Sequence, residues 1–264
     1  MNILEEIIAY KRTEVETRKI LVPEAEVLAS ELFERKTISL KQILSAASTT
    51  GIIAEFKRRS PSKGFINYNA DVAAITKDYT KYGAAALSIL TDNHFFGGNS
   101  EDVLIARDNQ IPILRKEFIV DSYQVSASKA IGADVILLIA ACLSVKEVKE
   151  LAAHAKKIGL EVLLEIHNKD EIGHICDEVD MVGINNRNLK TFKVDINHSI
   201  TLSKLIPQDK IKIAESGIDN METIIKLKDA GYKGFLIGEL FMKEQNPGMA
   251  FSNFVNQLNI ASNK

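Results

Sequence analysis

A repeat constrains this chain more than any other feature. An apolar, β-branched run, a polar loop, a helical stretch and often a glycine recur from residue 52 to residue 238. The apolar runs lie near 52–57, 86–91, 111–116, 134–139, 161–165, 181–186, 211–215 and 234–238. Their ends recur about every 26 residues, within reach of one minimal βα unit. Continuous apolar runs suit parallel strands covered on both faces. Several helical stretches stop at glycine (Gly83, Gly132, Gly159 and Gly231), the residue that ends a helix in a left-handed turn. The pattern predicts an α/β fold, a (β/α)8 TIM barrel. A doubly wound open sheet is the alternative, since alternation does not prove closure. No GxGxxG follows the first run, which argues against a dinucleotide-binding sheet.

Before the repeat, Ile3, Leu4, Ile7, Ile8, Lys11 and Val15 fall at helical spacing, and Pro23 precedes a second helical run. Residues 1–48 are read as a helical extension of one domain spanning 1–264, with the barrel over 49–264. A balance of 33 basic against 35 acidic residues argues against a general nucleic-acid or anionic-membrane binder. No apolar run approaches the ~20 residues of a membrane helix. The longest, Val135 to Cys142, reads as a buried strand. Met1 to Glu6 is acidic and is not expected to act as a secretory signal. Two cysteines without a CxxC spacing, Cys142 and Cys176, suit a reducing cytoplasm.

Barrel chemistry sits at the C-terminal ends of the strands, and here those ends are charged. The first run ends Ile53-Ala54-Glu55-Phe56-Lys57. Strand alternation puts Ile53, Glu55 and Lys57 on one face and Ala54 and Phe56 on the other. If the second face packs on helices, Glu55 and Lys57 point into the barrel, where a charge needs a partner or a ligand. Later runs end in Lys116, in Glu165, in Asn185 and Arg187, in Glu215 and Ser216, and in Gly238. Three acids (Glu55, Glu165, Glu215) and three bases (Lys57, Lys116, Arg187) can then share one mouth. They make either a structural ion-pair ring or a general acid/base site, with a lysine tuned toward neutrality and a glutamate raised by desolvation. Glycine-bearing loops after the seventh and eighth strands, Glu215-Ser216-Gly217 and Ile237-Gly238-Glu239, stand where such barrels bind phosphate. The five histidines are scattered without metal-ligand spacing. No Ser-His-Asp set supports a nucleophilic hydrolase.

Several segments in this order resemble indole-3-glycerol phosphate synthases. They include Ile53-Ala54-Glu55-Phe56-Lys57, Ser60-Pro61-Ser62-Lys63-Gly64, Leu90-Thr91-Asp92, Phe96-Gly97-Gly98 and Lys116-Glu117-Phe118-Ile119. Leu164-Glu165-Ile166, Gly183-Ile184-Asn185-Asn186-Arg187-Asn188-Leu189 and Glu215-Ser216-Gly217-Ile218 complete the match. The resemblance implies a (β/α)8 barrel with its helical extension over the mouth. It implies ring closure, decarboxylation and dehydration of 1-(2-carboxyphenylamino)-1-deoxyribulose 5-phosphate, without metal or organic cofactor.

By position in these motifs, Lys116 corresponds to the acid that protonates the ribulose carbonyl and Glu165 to the base of the dehydration. Lys57 assists, Glu55 positions the lysines, and Asn185 joins this catalytic set. Arg187, with Asn185, is expected to hold carboxylate and hydroxyls, Ser60 and Glu215 to lie against the substrate, and Phe96 and Phe118 to wall its aromatic ring. Ser216, Gly217, Gly238 and Glu239 are expected to cradle the phosphate. Two positions depart from the family pattern: Glu117 where aspartate is usual, and Leu240 where a serine is common. Size and resemblance point to a monomer and leave open whether a tryptophan-pathway partner docks. A phosphoribosylanthranilate isomerase-like barrel would share the phosphate loops without needing both Glu55 and Lys57 or the long extension. A non-catalytic scaffold would not need the acids and bases.

Overall fold

The computed structural model describes residues 3–187 and 193–262, so Asn188 and Leu189 of the quoted motif lie outside the described residues. The eight strands are β1 (Ile52–Phe56), β2 (Ala86–Leu90), β3 (Ile113–Lys116), β4 (Val135–Ile139), β5 (Glu161–Ile166), β6 (Met181–Asn185), β7 (Ile211–Glu215) and β8 (Tyr232–Ile237). All pair in parallel with their sequence neighbours, and β1 pairs with β8, so the sheet closes. Closure removes the open-sheet alternative. It also removes every edge, leaving no unpaired row of backbone groups.

Alternation along the strands sorts two apolar layers. Ile52, Ala54 and Phe56 face outward into the cluster shared with the helices. Ile53, Leu114, Leu137, Leu163, Ile213 and Leu236 fill the interior. Two residues beyond Ile53, Leu114, Leu163 and Ile213 on the same face come Glu55, Lys116, Glu165 and Glu215, and the interior changes from apolar to charged at the mouth.

The helices that follow strands are anchored at their N-termini by side chains that accept a first-turn backbone N–H. Asp71 does so for α4 (Val72–Lys81), Asn99 for α5 (Ser100–Ala106), Asp121 for α6 (Ser122–Ala130) and Ser144 for α7 (Val145–Lys157). Asp195 does so for α8 (Ile196–Leu202) and Asn220 for α9 (Met221–Asp229). These caps satisfy donors that the helix itself leaves open. At the other end of α7, Gly159 takes φ 80° and Leu160 N–H reaches Ala155 C=O at 2.9 Å, closing the turn that aims the chain into β5. After β5 the expected helix is replaced by a 3-10 turn, Lys169–His174.

The extension meets both ends of the barrel. In α1 (Ile3–Leu21), Ile3, Leu4 and Ile7 line a cavity at the mouth. The short α2 (Glu24–Leu28) follows, its Val27 buried with Val15, Val120 and Tyr123. In contrast, α3 (Leu40–Ser45) closes the opposite end. Leu40 and Leu44 join the interior cluster, while Ser39 and the Lys41 N–H bind Glu161 at the start of β5. The sequence reading put the extension over the mouth; its third helix is at the floor, because the first strand-facing apolar residues need a lid there too. Two further helices, α10 (Glu239–Met242) and α11 (Pro247–Ser262), complete the chain.

Candidate active site

The mouth encloses a cavity of about 390 Å³, a size typical of small-molecule sites. All fourteen residues singled out from the sequence line it: Glu55, Lys57, Ser60, Phe96, Lys116, Phe118, Glu165, Asn185, Arg187, Glu215, Ser216, Gly217, Gly238 and Glu239. Phe96 and Phe118 stand with ring centroids 5.9 Å apart, one apolar wall. Ser60, carried by a two-stranded ribbon of Arg59–Ser60 and Gly64–Phe65, is buried with no partner for its hydroxyl.

The charges are paired in two groups. Lys57 Nζ lies 2.6 Å from Glu55 Oε1. Lys116 Nζ sits between two carboxylates, 2.9 Å from Glu165 Oε2 and 2.8 Å from Glu215 Oε2. Asn185 Nδ2 donates to Glu165 Oε1 at 3.1 Å, and Asn185 Oδ1 accepts the Arg187 N–H. Two glycines make room. A Cβ on Gly183 would fall 2.2 Å from Glu215 Oε1, and one on Gly238 would fall 2.6 Å from Glu55 Oε1. Gly238 thus has a packing reason beside any role toward phosphate.

These contacts correct the expected tuning. Burial alone would lower the Lys116 ammonium, but Glu165, Glu215 and Glu55 outweigh it and hold it above the ordinary lysine range. Burial would raise Glu165, but Lys116, His167 and Asn185 hold it well below the carboxylate range. The carboxyl that is raised is Glu215, pushed up to about 7 by burial and by Glu165 against the pull of Lys116. Ion pairing beats desolvation at Lys116 and Glu165, but Lys116 cannot fully serve two acids, and at Glu215 desolvation wins.

The loops after β7 and β8 adjoin this cluster, Ser216 following Glu215 directly. Ser216 and Gly217 are consecutive left-handed residues with φ 66° and 67°. Positive φ is uncommon for serine, and successive turned N–H groups form an anion-binding concavity. Asn186 secures the turn, donating from Nδ2 to the Ser216 carbonyl and from its N–H to the Glu215 carbonyl. Glu239 lies between two cations, 3.7 Å from Arg187 and 3.8 Å from Lys63. Among the described residues no His, Cys, Asp and Glu cluster could hold a metal ion.

A family model described as indole-3-glycerol phosphate synthase matches residues 4–254. The chain belongs to that family. It is 48% identical over 255 residues to the indole-3-glycerol phosphate synthase of Bacteroides thetaiotaomicron, covering 96% of this chain and 98% of that one. The Campylobacter jejuni subsp. doylei protein of the same name is 43% identical over 253 residues, covering 94% and 98%. Among solved structures, the tryptophan synthase alpha subunit of Legionella pneumophila aligns with TM-score 0.63 at 14% identity, covering 85% of this chain and 97% of that one. A thiamine phosphate pyrophosphorylase of Pyrococcus furiosus aligns with TM-score 0.57 at 14% identity, covering 83% and 99%. At that identity the likeness is one of fold.

The family departure at Glu117 is tied down at the wall of the cavity. Glu117 binds Lys11 at 3.1 Å, Thr91 Oγ1 at 2.7 Å and the Phe118 N–H. Leu240 lines the cavity with its apolar side chain. Two residues escaped the sequence reading. Lys11 was placed on the apolar stripe of α1, and it is buried at 1% exposure among Glu14, Asp92 and Glu117. His167 was grouped with the scattered histidines, yet its Nε2 lies 3.0 Å from Glu165 Oε1 and its Nδ1 3.4 Å from Glu171 Oε2. Its signal was parity: His167 stands two residues after Glu165, as Lys57 stands to Glu55.

Proposed function

We propose that the mouth catalyses the indole-3-glycerol phosphate synthase reaction: ring closure, decarboxylation and dehydration of 1-(2-carboxyphenylamino)-1-deoxyribulose 5-phosphate. The observation that carries this reading is a buried lysine held between two glutamates, Lys116 with Glu165 and Glu215, facing an apolar aromatic wall. Lys116, fully charged, donates its proton to the ketone oxygen as the aromatic carbon attacks the ketone carbon. The carboxylate then leaves as carbon dioxide and returns its electron pair to the ring. Glu165 takes a methylene proton as the hydroxyl departs as water, with Lys57 as the acid beside it. An acid or base placed in this way contributes roughly 10²- to 10⁴-fold in rate.

Phe96 and Phe118 bracket the aromatic ring, and Glu55 holds Lys57 in place. Arg187 and Asn185 take the carboxylate and hydroxyls, and Ser60 and Glu215 touch the substrate. The phosphate enters the Ser216–Gly217 turn with Gly238 and Glu239 at its rim. No cofactor takes part in these steps. Extension and barrel work as one domain and the protein as a monomer; free Cys142 and Cys176 suit a reducing cytoplasm. No helix among the described residues is long and apolar enough to cross a membrane.

The test is to supply the carboxyphenylamino-deoxyribulose phosphate to folded protein in metal-free buffer and follow indole fluorescence. A steady rise is expected. No product from a folded sample would overturn the reading.

A further inference from the structure

The two phenylalanines that wall the cavity come from different loops, and a buried carboxylate fixes the backbone of each. In the loop after β2, Asp92 Oδ1 accepts the Phe95 N–H at 2.7 Å and the Phe96 N–H at 3.2 Å. In the loop after β3, Glu117 Oε1 accepts the Phe118 N–H at 2.9 Å, while Gln124 Nε2 donates to the Phe118 carbonyl at 2.9 Å. Hydrogen bonds from backbone N–H groups to a carboxylate are charge-assisted and stronger than neutral ones. The place of each ring therefore follows the place of one acid.

Both acids share a cation that neither loop supplies. Lys11 Nζ, from α1, lies 2.8 Å from Asp92 Oδ2 and 3.1 Å from Glu117 Oε1. Asp92 thus gives one oxygen to the chain and the other to Lys11, and Glu117 Oε1 serves both. Thr91 Oγ1 donates to Glu117 Oε2 at 2.7 Å and accepts from Arg115 Nε at 3.0 Å, so the acid is held from its other side too. Burial lowers Lys11, but Glu117, Asp92 and Glu14 outweigh it and keep the ammonium charged. Lys11 is 1% exposed, whereas Ile7, one turn earlier on the same helix, lines the cavity. Lys11 can act on a ligand only through the walls.

We propose that Lys11 is the positioning residue of the aromatic slot: by tying Asp92 to Glu117 it sets where Phe96 and Phe118 stand, and so decides how tightly and in what orientation an aromatic ring is held. The two ring centroids are 5.9 Å apart. Ring closure needs the aromatic carbon aimed at the ketone carbon, and a displacement of about 1 Å in such a pose is costly. The extension thus supplies selectivity for the ring-bearing end of the substrate, while the loops after β7 and β8 serve its phosphate end. The inference rests on the synthase reading for the identity of the ring.

The test measures binding of two ligands to Lys11→Met and wild type by titration calorimetry. One is the substrate with its ketone reduced to an alcohol, which carries the ring and cannot close. The other is ribulose 5-phosphate, which has no ring. Lys11→Met is expected to bind the first about tenfold more weakly and the second within about twofold of wild type. In turnover its KM for the substrate should rise about tenfold, with a smaller fall in kcat. Asp92→Ala, which frees the Phe96 backbone alone, is expected to show the same selectivity with about a fivefold loss, and it keeps the test decisive where Lys11→Met fails to fold. Equal losses for both ligands in a folded variant would show general loosening of the mouth, and no loss for either would show walls that stand without Lys11. Either result would overturn the proposal and leave the synthase reading intact. A wild-type protein that makes no indole product would overturn the synthase reading itself.

Discussion

Replacing Lys11 with methionine isolates what holds the extension to the site. Lys11 Nζ stands 2.8 Å from Asp92 Oδ2, 3.1 Å from Glu117 Oε1 and 2.7 Å from Glu14 Oε2. The Asp92 side chain is fully buried, that of Glu117 is 3% exposed, and that of Glu14 is 24% exposed. Removing the lysine leaves Asp92 and Glu117 as buried carboxylates short of a cation. Breaking a buried pair from one side costs about 3–5 kcal/mol. Some relief comes from the Phe95 and Phe96 N–H groups on Asp92 and from Arg115, 3.6 Å from Glu117, so the lower end applies, about 3 kcal/mol. In a chain of this size that corresponds to a midpoint drop of about 6–12 °C. Thermal unfolding at pH 7 reads it, with Glu14→Gln as the control for the more exposed pair, expected to shift little. The deficit should shrink as pH falls, because the orphaned carboxylates escape by taking protons. Since α1 also carries Ile3, Leu4 and Ile7 of the cavity wall, KM should rise more than kcat falls. A Lys11→Met midpoint within about 2 °C of wild type would refute the claim that this triad fastens α1.

Lys116→Ala and Glu165→Gln should lower turnover far more than substrate affinity, whereas Arg187→Ala should also weaken binding; steady-state kinetics on the ribulose phosphate substrate separates the two, and near-normal turnover of Lys116→Ala would refute its role as acid. Gly183→Ala should fold with a loss of about 1–3 kcal/mol and depress kcat, because the added Cβ, 2.2 Å from Glu215 Oε1, forces that carboxyl off Lys116; an unchanged kcat would show that the Glu215 position does not matter. Glu215, pushed up to about 7 in the fold from an ordinary 4.5, keeps its proton where the unfolded chain has lost it. Its contribution therefore falls as pH rises from 4.5 through 7, by about 3 kcal/mol, and Glu215→Gln should flatten that part of the stability–pH curve measured by denaturant unfolding.

The barrel was legible because a local rule repeats eight times. Each strand announces itself by an apolar run, and at α4, α6, α7 and α9 a glycine marks the helix end. The mouth was legible for the same reason: period-two alternation carries Ile53 to Glu55 and Leu163 to Glu165 without any long-range information. What sequence could not supply was which charges meet. Lys11 and Asp92 are 81 positions apart in the chain, yet 2.8 Å apart in space. The sign of each pKa shift depends on such distances, which is why the sequence suggests only some lysine drawn toward neutrality and some glutamate raised by burial, whereas Lys116 and Glu165 are both held away from neutrality. The fate of the extension was hidden similarly. An amphipathic stripe shows that a helix will dock, but α1 at the mouth and α3 at the floor present equivalent stripes.

The charge balance of the mouth explains why Glu215 is the acid that keeps its proton. Lys57, Lys116 and His167 stand against Glu55, Glu165 and Glu171, so the buried set is neutral before Glu215 is added. Ionising Glu215 as well would leave an unpaired negative charge in a low-dielectric wall, which burial penalises heavily. It would also face an incoming substrate that carries a carboxylate and a phosphate. Lys116 holds Glu165 and Glu215 with equal closeness, 2.9 and 2.8 Å, but Glu165 has Asn185 and His167 besides, whereas Glu215 Oε1 meets no hydrogen-bond donor among the described residues. The negative charge therefore settles on Glu165, while Glu215, raised to about 7, holds its proton to a higher pH. Two identical side chains thus differ in charge around neutral pH, with the difference set by the neighbours that β5 and β6 supply to one of them.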